Sequence, residues 1–304
     1  MHSELDRRTF SKTVALGLGL ASLPSADAQK RRNIRIGHTI LTWAMPLAEP
    51  VEIERGIRDI ASLGYHGIEL FGMNLQALEE RGETLIPLLQ KYNIPLISGY
   101  CNVVLTDPAK LKISIERLVD AGRIIKNAGG KVVALGPNAV QREGFDFKAH
   151  KSQIVSALNE CGKAITDLGL TAVMHQHTST CIETREETVA VMEAVDTRYV
   201  KFAPDIGQLQ KGGSDPVQIL KDFLPLVQHC HLKDYLGGEH WSGYCPLGQG
   251  KVDIPRVLDL LEGKTLAGMV MVELDPSPKM PLTALECAKT SKAYLEKQGC
   301  SFRW

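Results

Sequence analysis

The sequence predicts a single α/β domain built as a closed (β/α)8 barrel, a TIM barrel. From residue 33 onward, eight short runs rich in β-branched residues alternate with longer segments of helical periodicity, as expected for a parallel sheet with crossover helices. Several helical segments end at glycine, as at Gly64, Gly129 and Gly169, where a left-handed C-terminal cap favours this residue. The 304-residue chain also suits one barrel of roughly 250 residues.

The elements follow one another in a regular order along the chain. An open doubly wound sheet is the alternative, but residues 41–45 lack the glycine-rich phosphate turn typical of that fold. The predicted strands are Ile34–Thr39, Gly67–Phe71, Pro95–Tyr100, Lys131–Leu135, Leu170–His175, Val200–Asp205, Val227–Leu232 and Met269–Leu274. The predicted helices are Val51–Leu63, Leu75–Tyr92, Leu111–Ala128, Ala149–Leu168, Glu186–Ala194, Pro216–Phe223, Ile254–Leu261 and Leu282–Lys297.

Residues 1–28 are predicted to be a twin-arginine signal peptide, and residues 29–304 the barrel. Arg7 and Arg8 precede the apolar run Val14–Leu23, and Ala26-Asp27-Ala28 provides a small-x-small cleavage pattern. The run is too short to span a bilayer core of roughly 30 Å as a helix. We therefore expect export to the periplasm by the twin-arginine route, without stable membrane insertion.

The composition restricts the class of partner. Lys and Arg number 35, as do Asp and Glu, which argues against nucleic acid or an anionic membrane as the main partner. Seven cysteines at irregular spacing, without C-x-x-C, predict neither a disulfide framework nor a zinc ribbon. One or two disulfides in the periplasm stay open, as does a homo-oligomer.

Polar side chains stand at the C-terminal ends of several predicted strands, where barrel enzymes place their active sites. Side chains alternate between the two faces of a strand, so His175 shares a face with His177, and His229 shares a face with His231 and Lys233. Imidazole and carboxylate ligands suit Mn²⁺, Co²⁺, Fe²⁺, Mg²⁺ or Zn²⁺. Taken singly, a histidine at a strand end is often structural, and an aspartate there often caps the next helix. The residues expected to hold one divalent metal ion are His175, Asp205, His231 and Glu273.

Substrate contacts are predicted around the same mouth. The loop from Gly237 to Gly250 is long and rich in Gly, His, Trp and Tyr, and loops of this kind often close over a substrate. Trp43 and Trp241 either stack on a sugar ring or pack the rim of the barrel. The expected substrate-binding residues are His38, Trp43, Gln208 and Trp241.

Six motifs together resemble the xylose-isomerase-like barrel superfamily, in particular its sugar phosphate isomerase/epimerase group and inosose dehydratase. The motifs are Gly67-Ile68-Glu69, His175-x-His177 followed by Thr178-Ser179-Thr180, Asp205-x-Gly207, His231-Leu232-Lys233-Asp234, Gly248-x-Gly250 and Val272-Glu273. The resemblance implies the same four metal ligands. Epimerases of the group usually carry Glu in place of His175, and most members carry His in place of Gln208. The first departure weakens the case for epimerisation and favours the His-x-His branch, which includes dehydratases.

The expected chemistry is removal of a proton next to a carbonyl of a small sugar or cyclic polyol. The expected catalytic residues are Glu69, His177 and Glu273 as candidate bases, and Lys233 as oxyanion stabiliser or proton source. Proton return gives isomerisation or epimerisation, whereas loss of a β-substituent gives dehydration or elimination. Export and the absence of a phosphate-binding loop indicate an unphosphorylated keto-sugar, inosose or keto-glycoside. Alternatives are a non-catalytic periplasmic carbohydrate-binding barrel and a DNA-repair endonuclease, the latter disfavoured by neutral charge and export.

Overall fold

A computed structural model describes residues 31–304 apart from 44, 46, 47, 84, 239, 278 and 279, and omits the side chains of His240 and Trp241. The strands are β1 Ile36–Thr39, β2 Ile68–Phe71, β3 Leu96–Val103, β4 Val132–Pro137, β5 Thr171–Met174, β6 Val200–Phe202, β7 Cys230–Leu232, β8 Asp234–Tyr235, β9 Tyr244–Cys245 and β10 Val270–Val272. The α-helices are α1 Pro50–Ser62, α2 Gly72–Glu80, α3 Leu85–Lys91, α4 Pro108–Asn127, α5 Phe147–Asp167, α6 Arg185–Met192, α7 Ile206–Lys211, α8 Pro216–Asp222, α9 Ile254–Leu261 and α10 Ala284–Lys297.

Eight parallel strands form the barrel, in the order β6-β5-β4-β3-β2-β1-β10-β7. Parallel bridges from Phe202 to Val227 and from Asp205 to His231 join the two ends of this order and close the barrel. The predicted (β/α)8 fold is confirmed, and each predicted strand coincides with one of these eight. The closed sheet brings the C-terminal ends of all eight strands to one rim.

Helix boundaries follow local sequence signals. Asp107 and Asp146 cap α4 and α5 by accepting backbone N–H groups with their side chains. The expected glycine caps are present, with Gly64, Gly129 and Gly169 at φ values of 78°, 91° and 79°, a region that favours glycine.

One predicted helix is wrong. The segment Leu75–Tyr92 forms α2 and α3 instead of a single helix, because the chain turns at Gly82 with φ 71°. Within the described residues, no helix has the length and apolar character needed to cross a membrane.

The buried apolar side chains of the described residues form three clusters. The largest fills the space between the sheet and the helices, and a second contains Tyr244, Cys245, Leu274 and Cys287. A third, of Val132, Ala134, Val173 and Ala203, lies apart from both. His175 and Asp205 stand two residues after Val173 and Ala203, so strand alternation places them on the same inward face. The barrel interior is therefore apolar below and polar at the rim.

Candidate active site

The four predicted metal ligands converge at the rim. Each lies in or just after a different strand: His175 after β5, Asp205 after β6, His231 in β7 and Glu273 after β10. Ligand atoms of His175, Asp205 and His231 lie within 4.8 Å of one another, and Glu273 Oε2 lies 3.1 Å from His231 Nδ1. All four side chains are buried.

Asp205 has two functions at once. Its Oδ1 accepts the N–H groups of Gly207 and Gln208 at 2.9 and 3.0 Å and so caps α7. Its Oδ2 faces Lys233 and His175. The helix cap thus fixes the carboxylate with its Oδ2 directed at Lys233 and His175. The capping role is observed, and the role of metal ligand stays a prediction.

Lys233 lies at the centre of the carboxylates and has no solvent exposure. Its Nζ is 2.9 Å from Asp205 Oδ2, 2.8 Å from Glu273 Oε2 and 2.7 Å from Asp275 Oδ1. Asp275 was missed by the sequence reasoning, although the spacing Glu273-x-Asp275 puts both carboxylates on one face of an extended chain.

These contacts decide the charge of the central groups. Burial lowers the pKa of Lys233, but the carboxylates of Asp205, Asp275 and Glu273 outweigh it and raise that pKa well above its ordinary value. Burial would raise the pKa of Glu273, but Lys233 and His231 hold it well below its usual range. Burial lowers the pKa of His175 well below its usual value. The site therefore contains a charged lysine, an ionised Glu273 and a neutral His175.

The donor set fits a divalent metal ion. His175 Nδ1 is buried and has no hydrogen-bond partner among the described residues, although a buried polar atom normally has one. Asp205 Oδ2 likewise makes an ion pair but no well-aligned hydrogen bond. Two imidazoles and two carboxylates are a common ligand set for Mn, Co, Fe and Zn, and the carboxylates also suit Mg.

Glu69 lies below this set and is 2% exposed. Its Oε2 lies 3.0 Å from His229 Nε2 and its Oε1 lies 2.9 Å from His231 Nε2. Burial would raise the pKa of Glu69, but the neighbouring imidazoles of His231 and His229 lower it below its usual range. Glu69 Oε2 and His231 Nε2 have no well-aligned hydrogen bond among the described residues. Glu69 is thus an ionised carboxylate held between two histidines.

Gln208 holds His177 instead of facing the pocket. It is 1% exposed, and its Nε2 lies 2.8 Å from His177 Nε2. Its Oε1 accepts the hydroxyl of Thr178 at 2.7 Å. His177 Nδ1 lies 2.8 Å from the carbonyl oxygen of Thr178, so both ring nitrogens are engaged. The structure shows a structural contact of Gln208 and does not place it in the pocket lining, and the substrate contact expected of it stays a prediction.

His38 and Trp43 also lie outside the pocket. The His38 ring packs edge-on against Trp43 and Tyr65, and burial lowers its pKa to about 4. Trp43 is 7% exposed and donates its indole N–H to Asp59 of α1 at 3.1 Å. The structure therefore places both in the packing against α1, in agreement with the rim alternative for Trp43. Trp241 lies outside the described side chains.

A pocket of about 450 Å³ opens above the polar residues. Its walls combine the rings of Phe71 and Tyr100 with the polar groups of Asn102, His177 and Asp275. His175 and Glu273 reach its floor, and no Lys or Arg is among the described residues that line it. A larger groove of about 590 Å³ runs between α2 and α4 and contains none of the predicted site residues. The rim pocket is therefore the one lined by predicted site residues, and its volume suits a small ligand.

Asp234, the last residue of the His-x-Lys-Asp motif, anchors the loop beside the pocket. Its Oδ2 accepts the N–H groups of Gly248 and Gly250 at 2.9 and 2.8 Å, and its Oδ1 accepts those of Tyr235 and Val252. A Cβ at Gly250 would lie 2.2 Å from Asp234 Oδ1. The Gly248-x-Gly250 motif therefore wraps a carboxylate, as a tight turn.

The seven cysteines are unpaired and buried. Burial raises the pKa of the Cys101, Cys161 and Cys181 thiols to about 12. These thiols are inert at neutral pH.

Comparison with known proteins finds relatives that match most of the chain. An inosose dehydratase from Clostridium botulinum is 25% identical over 300 residues, which cover 88% of this chain and 97% of that protein. The structure resembles that of the 3-keto-D-glucoside 4-epimerase YcjR from E. coli, with a TM-score of 0.65 and 15% identity over 86% of this chain and 98% of that one. It also resembles the IOLI protein with a bound zinc atom, with a TM-score of 0.70 and 18% identity over 87% of this chain and 98% of that one. A family model described as xylose isomerase-like TIM barrel matches residues 57–295. The chain thus belongs to the xylose isomerase-like TIM barrel family, as its motifs predicted.

Proposed function

We propose that this chain is a divalent-metal-dependent enzyme that removes a proton from the carbon next to the carbonyl of an unphosphorylated keto-sugar or inosose. The observation that carries this proposal is the convergence of His175, Asp205, His231 and Glu273, two of which, His175 and Glu273, line one pocket. The names of the relatives support it, since an inosose and a 3-keto-glucoside both carry a carbonyl on a polyhydroxylated ring.

The same four residues would hold the metal ion. A bound divalent ion supplies Lewis-acid stabilisation of the negative charge that develops on a carbonyl oxygen. The zinc atom of the IOLI protein supports this class of ion. Mn, Co, Fe, Mg and Zn all suit the donor set.

Lys233 contributes a fixed positive charge to this site. Because three carboxylates keep it protonated, it cannot act as a base. A buried ammonium in a low-dielectric site stabilises a developing oxyanion more strongly than it would in water. Lys233 does not line the pocket itself, so we assign it to stabilisation of the oxyanion through its charge, without contact with the substrate.

The base is assigned to Glu273. Of the three bases expected from the sequence, Glu69 does not line the pocket, and both ring nitrogens of His177 are engaged. Glu273 is ionised and lines the pocket. Asp275, which also lines the pocket, accepts from Lys233 and holds its ammonium beside Glu273.

The absence of cations from the described pocket lining supports an unphosphorylated substrate. Phosphate groups are usually bound by Arg, Lys or clustered backbone N–H groups, whereas Glu273 and Asp275 would repel a dianion. Aromatic walls with a few polar groups suit a neutral sugar ring.

Elimination is the second candidate outcome. Epimerisation by paired carboxylates requires a second one across the substrate, and this chain has His175 in place of the glutamate usual in epimerases. Once the proton has been removed, loss of a β-hydroxyl or β-glycosidic group needs no second carboxylate base. The dehydratase name of the curated relative favours the same outcome.

Deuterium exchange tests the proposal whichever product is formed. The metal-loaded chain is incubated in D₂O with inososes, ketoses and 3-keto-glycosides, and NMR follows the signal of the proton next to the carbonyl. We expect exchange, accompanied by an isomer or by an unsaturated product, and its loss in Glu273→Gln. Glu187→Gln is the matched control, because it neutralises a buried glutamate that pairs with Arg142 away from the metal ligands.

Two results would contradict the proposal. Binding of these sugars without exchange or turnover would support the carbohydrate-binding barrel instead. Turnover of sugar phosphates alone would refute the proposed substrate class.

We also propose that the enzyme acts in the periplasm. This proposal rests on the twin-arginine pattern of residues 1–28, which lie outside the described residues.

A further inference from the structure

Tyr100, in β3, lines the rim pocket with a phenol. The side chain is half-buried, and its ring packs edge-on against Phe71 and His175, with 5.4 Å between ring centroids in both pairs. No hydrogen bond joins the hydroxyl of Tyr100 to any of the described residues. Since polar groups inside a protein normally have a partner, a hydroxyl without one in a pocket wall is available to a ligand.

Gly136, in β4, provides the space for this hydroxyl. A Cβ at Gly136 would lie 2.0 Å from the hydroxyl oxygen of Tyr100 and 2.2 Å from the ring carbon that carries it. A larger residue at this position would therefore displace the phenol ring. Pro137, the next residue, lines the same pocket, so the hydroxyl lies over β4 at the pocket wall.

This wall faces Glu273 across the barrel mouth. Around the closed ring of eight strands, β4 and β10 are four places apart in either direction, so the two strands lie opposite each other. Glu273 follows β10 and lines the pocket. A sugar ring in this pocket would have Glu273 on one side and the hydroxyl of Tyr100 on the other.

The other buried hydroxyl groups of the described lining are used within the protein. The Thr178 hydroxyl donates to Gln208 Oε1 at 2.7 Å, and the Thr180 hydroxyl donates to the carbonyl oxygen of His177 at 2.6 Å. The remaining uncharged side chains of the lining that end in a hydroxyl or an amide are exposed, namely Asn102, Ser179 and Ser242. Tyr100 thus offers the hydroxyl best placed to bind a substrate inside the pocket.

We propose that Tyr100 orients the substrate by forming a hydrogen bond with one hydroxyl group of the sugar ring, on the side of the pocket opposite Glu273. This inference rests on the proposed function and deepens it, because the bond directs the carbon next to the carbonyl toward Glu273. Holding reacting groups in a productive orientation removes an entropic part of the barrier. Gly136 serves this arrangement as a positioning residue, because it leaves room for the phenol.

Calorimetric binding of an inosose and its monodeoxy analogues tests the inference without requiring turnover. Each analogue lacks one ring hydroxyl and is titrated, with Zn²⁺ present, into the unaltered protein, Tyr100→Phe and the control Tyr92→Phe. The Tyr92 hydroxyl donates to Glu54 at 2.7 Å, outside the pocket. We expect Tyr100→Phe to bind the inosose about 2- to 10-fold more weakly, the range for one hydrogen bond between neutral groups, and the control to bind it with unaltered affinity.

One analogue should be insensitive to the substitution. The analogue without the hydroxyl that Tyr100 binds should have the same affinity for the unaltered protein and for Tyr100→Phe, whereas the other analogues should keep the difference. Equal affinity of the two proteins for the inosose, or the same loss for every analogue, would overturn the inference, because a contact with one hydroxyl gives a loss that depends on the analogue.

Unfolding and exchange measurements separate the possible failures. Because the hydroxyl of Tyr100 has no partner among the described residues, Tyr100→Phe should unfold at the same urea concentration as the unaltered protein, and a lower midpoint would show a structural role instead. The expected analogue pattern without deuterium exchange in the unaltered protein would refute the proposed proton removal but support the role of Tyr100. Absence of any binding by the unaltered protein would refute both.

Discussion

Replacing Lys233 with methionine removes the central positive charge of the site while nearly preserving side-chain volume. The ammonium has no solvent exposure and contacts three carboxylates at 2.7–2.9 Å. Removal of one partner from a buried ion pair commonly costs about 3–5 kcal/mol, because the other charge stays buried and uncompensated.

Protonation of a carboxylate limits this loss. Glu273 has an ordinary pKa of 4.5, so taking up a proton at pH 7 costs about 3.4 kcal/mol, and at pH 5 only about 0.7 kcal/mol, at roughly 1.36 kcal/mol per pH unit. We therefore expect metal-free Lys233→Met to lose about 3 kcal/mol of unfolding free energy at pH 7 and about 1 kcal/mol at pH 5. A divalent ion at about 1,000 times its Kd would raise the unfolding free energy of the variant by about 4 kcal/mol.

Urea unfolding at both pH values, with and without metal, measures these differences. Lys163→Met is the control, because Lys163 pairs with Asp167 on the exposed surface of α5, and we expect no measurable change there. An equally stable metal-free Lys233→Met variant at pH 7 would refute the view that Lys233 compensates the buried carboxylates.

Three further predictions concern the loop, a buried histidine and export. Gly250→Ala should lower the unfolding free energy by about 1–3 kcal/mol in urea titration, because the new Cβ would lie 2.2 Å from Asp234 Oδ1; an unchanged midpoint would contradict the tight turn. In the unfolded state His38 takes up a proton as pH falls through its ordinary pKa of 6.5, whereas in the folded state burial lowers this pKa to about 4. Unfolding free energy should therefore fall by about 3 kcal/mol from this group, and His38→Asn should remove that part of the pH dependence. Arg7→Lys combined with Arg8→Lys should retain the protein in the cytoplasm on cell fractionation, and unaltered export would refute the twin-arginine prediction.

The sequence contained most of the fold, because a parallel barrel repeats one pattern eight times. Each strand run stood out from its neighbouring helix by β-branched composition. The break between α2 and α3 was missed, since apolar helical spacing continues on both sides of Gly82, and only the backbone shows its positive φ. Residues 206–211 were not predicted as a helix because α7 is too short for a periodic pattern.

The candidate site was predictable where alternation along a strand was sufficient. His175 and His231 lie where that rule places them, and the same rule applied to Glu273 would have found Asp275. His38 was expected to contact substrate, but its ring packs against Trp43 and Tyr65. Both faces of β1 are buried, so the sequence alone does not show which residue points inward. In the structure Gly37 faces inward, where a Cβ would lie 2.3 Å from the sulfur of Met271.

Partners of polar side chains were harder to predict than their positions. Gln208 lies near the pocket, but its amide is used by His177 and Thr178. Glu69 lies within β2, but its neighbours are His231 of β7 and His229, the residue before that strand. Such contacts depend on side-chain rotamers and on strands that are remote in sequence, and neither is visible in a local pattern.

The short β8–β9 pairing separates the tip of the loop from the ionic centre around Lys233 at the barrel mouth. Asp234 clamps the base of the loop through four backbone N–H groups, and Leu236 and Gly237 both donate to the carbonyl of Gly243 at the neck. The tip beyond this neck can therefore change in length and sequence while Lys233, one residue before the clamp, keeps its place. Evolution or design could replace that tip to admit other sugars without changing the ionic centre beneath it. The loop tip and the reactive groups can therefore vary independently.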